Sequence, residues 1–69
     1  MDANYLHLEI MAEVAWQVGD FFVDLPRAES RWHVCTIANR IIQAGIITKD
    51  SEDLDEIISG WLRHEEGFK

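Results

Sequence analysis

The first third of the chain has the pattern of a helix that is apolar around most of its circumference. At about 100° per residue, its polar side chains fall on one narrow face. That face carries Glu9, Glu13, Gln17, Asp20 and Asp24. The other positions are almost wholly apolar and cover about two thirds of the wheel, whereas an outer helix of a small bundle needs an apolar stripe of little more than about 100°. This surplus of apolar surface constrains the fold more than any other feature.

The surplus predicts a second copy of the chain. Two further helices from 69 residues cannot easily cover such an arc over a length of about 30 Å. Left open, the arc would form a large apolar patch, which soluble monomers rarely expose. We therefore expect a helical homodimer in which the first helices face each other across a two-fold axis. The predicted dimer interface consists of Ile10, Met11, Val14, Val18, Phe21 and Phe22. The alternative is a compact monomer wrapped tightly round the first helix.

The rest of the chain has the pattern of a helical hairpin. We predict an all-α fold with one domain over 1–69, in which a long helix at about 3–24 precedes helices at about 28–44 and 51–64. The third segment has an apolar stripe of ordinary width, formed by Leu54, Ile57, Ile58, Trp61 and Leu62. Because no periodic apolar positions follow His64, we expect the chain to fray there.

Start and stop signals separate these segments. Pro26 lies between the first two, with Asp24 or Ser30 as candidate cap of the second helix. Gly45 is expected to end that helix in the left-handed conformation, with Ile46 folding back onto it. Ser51 is the candidate cap of the third helix, whose first turns are crowded with acids that the helix dipole favours.

Charge and composition narrow the class of protein. The formal net charge is −7, and the single cysteine cannot form an internal disulfide. The negative charges of an acidic chain repel the phosphates of nucleic acid, so direct binding to nucleic acid is not expected. Carboxylates interrupt the apolar first segment and oppose a membrane span. With no basic N-terminal region, we expect a cytoplasmic protein.

The distribution of charge has two interpretations. The residues from 27 to 49 carry a net positive charge between two acidic flanks. The three segments therefore either attract one another when packed or carry ordinary surface charge, since exposed pairs contribute at most about 1 kcal/mol each.

No constellation of residues indicates chemistry. His33 and Cys35 are two positions apart, which points them in different directions on a helix. The four glycines form no phosphate-binding loop. A catalytic nucleophile needs a base within hydrogen-bond reach, and no spacing in the sequence suggests one. We therefore expect no enzyme activity, no catalytic residue, no cofactor and no metal site.

The aromatic residues indicate protein binding. Trp16 and Trp32, with Arg31, are of the types that most often anchor protein–protein contacts, and the acidic face would steer the approach of a basic partner. The predicted partner-binding residues are Trp16, Arg31, Trp32, Glu9, Glu13 and Asp20. Alternatively, the rings simply lie over neighbouring helices.

The function this predicts is that of a small regulator that occupies the surface of an unidentified partner protein, as an inhibitor, an antitoxin-like factor or an adaptor. Phages and mobile elements often encode proteins of this size and charge. The alternative is an acidic mimic of nucleic acid, of the anti-restriction or anti-CRISPR type, that blocks a DNA- or RNA-binding protein. Its carboxylates would be the ridge Glu9, Glu13, Asp20 and Asp24 with the cluster Asp50, Glu52, Asp53, Asp55 and Glu56.

Overall fold

The computed structural model describes residues 3–48 and 50–68, which form helices and their connections without a strand. The elements are α1 (Ala3–Val18), a 3₁₀ turn (Gly19–Phe22), α2 (Arg27–Ala44) and α3 (Leu54–Glu65). α1 packs against both α2 and α3. The predicted all-α fold with three helices is confirmed. Within the described part of the chain, no helix has both the length and the apolar character needed to cross a membrane.

The core lies where the three helices meet. α1 contributes Ile10, Val14 and Val18, which are at most 1% exposed. Their spacing of four residues places them on one side of the helix. The other buried side chains are Val34, Ile37, Ala38 and Ile41 from α2, Ile47 from the connection, and Ile58 and Leu62 from α3. Both α2 and α3 therefore cover the same side of α1, and its opposite side is not covered by them.

The α-helical part of the first segment ends at Val18 and not at Asp24 as the periodicity suggested. Gly19 favours the helix poorly, and the chain tightens there into the 3₁₀ turn. The turn brings Phe22 onto α2, where its ring stacks on His33 with centroids 4.9 Å apart. Periodicity alone could not show this because the contact joins two different helices.

Both ends of α2 depend on backbone conformation. Pro26 is the cap residue, and its carbonyl accepts the first helical bond from the Ser30 N–H at 3.0 Å. No side chain caps this end, so the prediction that Asp24 or Ser30 does so was wrong. Gly45 ends the helix in the left-handed conformation, at φ 70°. The residue that then enters the core is Ile47, at 8% exposed, whereas Ile46 is 42% exposed.

The connection to α3 contains a closed turn. The Thr48 N–H donates to Ser51 Oγ at 2.9 Å, and the Ser51 N–H donates to the Thr48 carbonyl at 3.0 Å. Ser51 is thus used in this turn and does not cap a helix. α3 begins three residues later, at Leu54, after Asp53 as cap residue without a side-chain bond.

The chain after α3 folds back and does not fray as predicted. Gly67 has a positive φ of 79°, which turns the backbone so that the Phe68 N–H donates to the Leu62 carbonyl at 2.9 Å. The Phe68 ring packs edge-on against Phe21, with centroids 4.7 Å apart. The 3₁₀ turn and the segment after α3 therefore stabilise each other.

Candidate protein-binding surfaces

A shallow groove of about 570 Å³ lies between α1 and α3. Its lining residues are Glu13, Trp16 and Gln17 from α1, Asp53 before α3, and Asp55, Glu56, Ser59 and Arg63 from α3. We call this the acidic groove, because four carboxylates face a single guanidinium there. Trp16 is its aromatic wall.

Gln17 holds the two sides of the acidic groove together. Its Nε2 donates to Glu13 Oε2 at 3.0 Å, one helical turn away, and to the backbone carbonyl of Asp55 at 2.9 Å. The second bond ties the end of α1 to the first turn of α3. The bond therefore links the backbone of α3 to the side chain of α1 on which Glu13 also depends.

The carboxylates of the acidic groove have no cationic partner among the described residues. The ion pair recorded among those residues joins Arg40 to Glu66 at 2.8 Å, and it lies on a different face of the molecule. Arg63 lines the groove without forming an ion pair with any residue in 3–48 or 50–68. The negative charge contributed by Glu13, Asp55 and their neighbours therefore remains available to a ligand.

Trp16 adds an aromatic surface beside this charge. Its side chain is 83% exposed, so little of the indole is used in the chain's own packing. An exposed indole attracts an ammonium or guanidinium over its face, an interaction of about 0.5–1 kcal/mol at such sites. Carboxylates bind the same groups through charge-assisted hydrogen bonds. The acidic groove thus has the chemistry to hold lysine or arginine side chains.

The structure does not bring all predicted partner-binding residues together. Glu13 and Trp16 share the acidic groove. Arg31 lines a separate depression on α2 with Arg27 and Ala28. Trp32, 63% exposed, packs edge-on against His33 with centroids 5.1 Å apart. The six residues therefore belong to more than one surface.

Two predicted acids lie beside the acidic groove and do not line it. Glu9 is half-buried one turn before Glu13, and Asp20 is exposed on the 3₁₀ turn. Asp53, Asp55 and Glu56 take their place in the groove, although the sequence-based list of partner-binding residues omitted them. Their crowding at the start of α3 was visible in the sequence, but its proximity to Trp16 depends on how α3 packs against α1.

Of the predicted dimer residues, Ile10, Val14 and Val18 lie in the core of the single chain. They cannot contact a second copy while this core is intact. Met11 and Phe22 are half-buried and pack against that core. Phe21, in contrast, is 54% exposed although its ring contacts Phe68.

Neither a metal-binding cluster among the described residues nor a similar known protein points to a function. Within residues 3–48 and 50–68, no three His, Cys, Asp or Glu side chains are grouped so that they could hold a metal ion. The chain matches no protein-family model, no curated protein and no solved structure. The surfaces of the chain are therefore the features from which its function can be inferred.

Proposed function

We infer that this chain is a small protein-binding regulator whose acidic groove takes a lysine- or arginine-bearing segment of a partner protein. The observation that carries this proposal is the position of Trp16, 83% exposed, beside four carboxylates that lack cationic partners in the described chain. A groove of about 570 Å³ has room for one or two side chains and not for a folded domain.

The expected binding energy is modest and shared between two kinds of contact. Each exposed ion pair contributes about 0.2–1 kcal/mol, and several carboxylates that act on one basic segment add to this. The indole contributes through its flat, rigid surface, which binds at low entropic cost. Neither contact is strong alone, so specificity requires both.

Occupation of a partner's surface is the mode of action that such a groove supports. The proposed class covers an inhibitor, an antitoxin-like factor or an adaptor in the cytoplasm, without catalysis and without a cofactor. Size and charge also suggest that a phage or mobile element encodes the protein. This origin is part of the proposal, because it rests only on analogy with other proteins of that size and charge.

The test uses a short peptide of alternating arginine and glycine, titrated into the isotopically labelled full chain. We expect the largest NMR shift changes at the Trp16 indole N–H, the Gln17 side-chain amide and Ser59, with no comparable change at Trp32. The same peptide with glutamate in place of arginine is the ligand control. Changes centred on Trp32, or spread evenly over the chain, would contradict the proposal.

Matched charge variants separate the groove from general electrostatics. The double variant Asp55→Asn, Glu56→Gln removes two charges inside the acidic groove, and Asp20→Asn, Asp24→Asn removes two outside it. We expect the first to weaken peptide binding by about tenfold, which corresponds to about 1.4 kcal/mol, and the second by less than about twofold. Equal losses in both would show that only net charge matters. Circular dichroism checks that both remain helical.

A nucleic-acid mimic is the second candidate, because one carboxylate of the α1 ridge lies in the same groove as part of the α3 cluster. Glu13, from the ridge on α1, lines the same groove as Asp53, Asp55 and Glu56 from the cluster at α3. A mimic binds through charge, so its affinity should fall steeply with salt and survive Trp16→Ala. An aromatic-anchored regulator should lose affinity in Trp16→Ala and depend less on salt.

A further inference from the structure

The side of α1 that faces away from the core is exposed and uncharged. Tyr5 is 53% exposed, Leu8 63% and Trp16 83%, and Ala12, Ala15 and Gly19 are exposed between and beyond them. We call these six residues the outer face of α1. The spacing of three and four residues keeps the first five on one stripe of the helix, and Gly19 follows it directly as the first residue of the 3₁₀ turn.

This face carries no charge, although the chain as a whole is strongly acidic. Of all residues, 28% are charged and the formal net charge is −7, yet no charged residue belongs to the stripe. We propose that the outer face of α1 binds the same face of a second copy of this chain, with the two α1 helices antiparallel and Ala12 at the two-fold axis.

Charge favours a second copy as the occupant. Around a two-fold axis, a surface patch contacts the same patch of the other copy. An acidic protein therefore associates with itself most favourably through a patch that carries no carboxylates. The acidic groove would repel its counterpart, whereas the outer face has no charge to repel. A basic partner, by contrast, gains nothing from an uncharged stripe.

The order of large and small residues fits an antiparallel pair. When Ala12 lies at the axis, Leu8 comes beside Trp16 of the second copy, and Tyr5 comes beside Gly19 of the second copy, because each pair is equidistant from Ala12. A Cβ added at Gly19 would meet nothing within 4 Å, so there is open space for a ring. Small residues at the centre let two helices approach closely, with the larger ones packing at both ends.

The size of the face sets the expected strength. The stripe from Tyr5 to Gly19 is about 20 Å long at about 1.5 Å per residue. We expect two such helices to bury an area near the low end for specific protein pairs, about 1,000 Å² in total. We therefore expect a dimer that dissociates in the micromolar range.

Analytical ultracentrifugation of the full chain from about 1 to about 200 μM tests this. We expect the parent to pass from monomer to dimer over that range and Ala12→Glu to remain monomeric, with the dissociation constant of the dimer raised by at least about 30-fold. The control is Ala28→Glu, which makes the same change at an exposed alanine of α2 and should dimerise like the parent. A monomeric parent at the highest concentration would overturn the proposal, as would a dimer that persists in Ala12→Glu.

Cross-linking tests the register independently. In a Cys35→Ser background, Ala12→Cys should form a disulfide-linked dimer under mild oxidation, because the two thiols meet at the axis. Ala28→Cys should not. Failure of Ala12→Cys to cross-link in a chain that does dimerise would overturn the antiparallel register. Neither experiment depends on the acidic groove, so the two proposals can fail separately.

Discussion

Gly45 ends α2 in a backbone conformation that side chains with a Cβ adopt only with strain. Its φ is 70°, and its N–H donates to the Ile42 carbonyl at 3.1 Å. Space around the residue does not restrict it, since an added Cβ would meet nothing within 4 Å. The conformation alone therefore fixes the residue type.

Two glycine substitutions should have opposite effects on the free energy of unfolding. Gly45→Ala should lower it by about 1 kcal/mol, because alanine resists a positive φ. Gly60→Ala, inside α3 and equally free of neighbours at the Cβ position, should raise it by about 0.5–1 kcal/mol through helix propensity. Urea denaturation measures both. A change of the same sign in the two variants would show that propensity does not govern these positions.

At the scale of elements, α1 has two apolar sides, of which one is buried in the core and the other is exposed. Ile10, Val14 and Val18 face α2 and α3 and are buried within one chain, while Leu8 lies on the exposed outer face. The wide apolar arc was therefore correctly recognised, but half of it serves the chain's own core. The surplus lies on the other half.

Substitutions on the two sides of α1 should separate these roles. Val14→Ala should lower the free energy of unfolding by about 2 kcal/mol at any protein concentration, since it removes two buried methyl groups and leaves a cavity. Leu8→Ala, at 63% exposed, should change the stability of dilute protein by less than about 0.5 kcal/mol. Thermal denaturation at low micromolar concentration provides the comparison. An equal loss in both would mean that the outer side is also needed for the single chain to fold.

The periodicity of the sequence predicted which helices form more accurately than it predicted where they begin and end. The stripe of α3 and the stop at Gly45 depend on neighbours in sequence, so the pattern alone was enough. The role of Ser51 and the folding back of Phe68 depend on contacts that form only when the chain turns. The acidic groove was missed for the same reason. The hydrogen bond between Gln17 and Asp55 forms only when α3 packs against α1, so no local sequence pattern predicts it.

For the whole molecule, we expect repulsion between carboxylates to outweigh attraction between charged segments. The formal net charge is −7, and the ion pair recorded among the described residues, Arg40 with Glu66, has an arginine side chain that is 57% exposed. Such a pair contributes little. The hypothesis that a basic middle segment attracts acidic flanks is thus supported at one contact, while the acids of α1 and α3 face each other across the groove.

Added salt should therefore stabilise the fold. Raising NaCl from about 0.05 to about 0.5 M screens the repulsion, and we expect the free energy of unfolding to rise by about 0.5–1 kcal/mol. The variant Asp55→Asn, Glu56→Gln, with less repulsion in the groove, should show a smaller rise. Urea denaturation at each salt concentration checks this, and a fall in stability with salt would mean that attraction between segments dominates.

Trp16 belongs to two surfaces at once, because it lines the acidic groove and also lies on the outer face of α1. Under the two proposals, a single indole is therefore shared by a ligand and by a neighbouring subunit. Thermodynamic linkage then requires reciprocity: whatever factor self-association applies to ligand affinity, the ligand applies to self-association. One side chain would make the response of this protein depend on its own abundance in the cell.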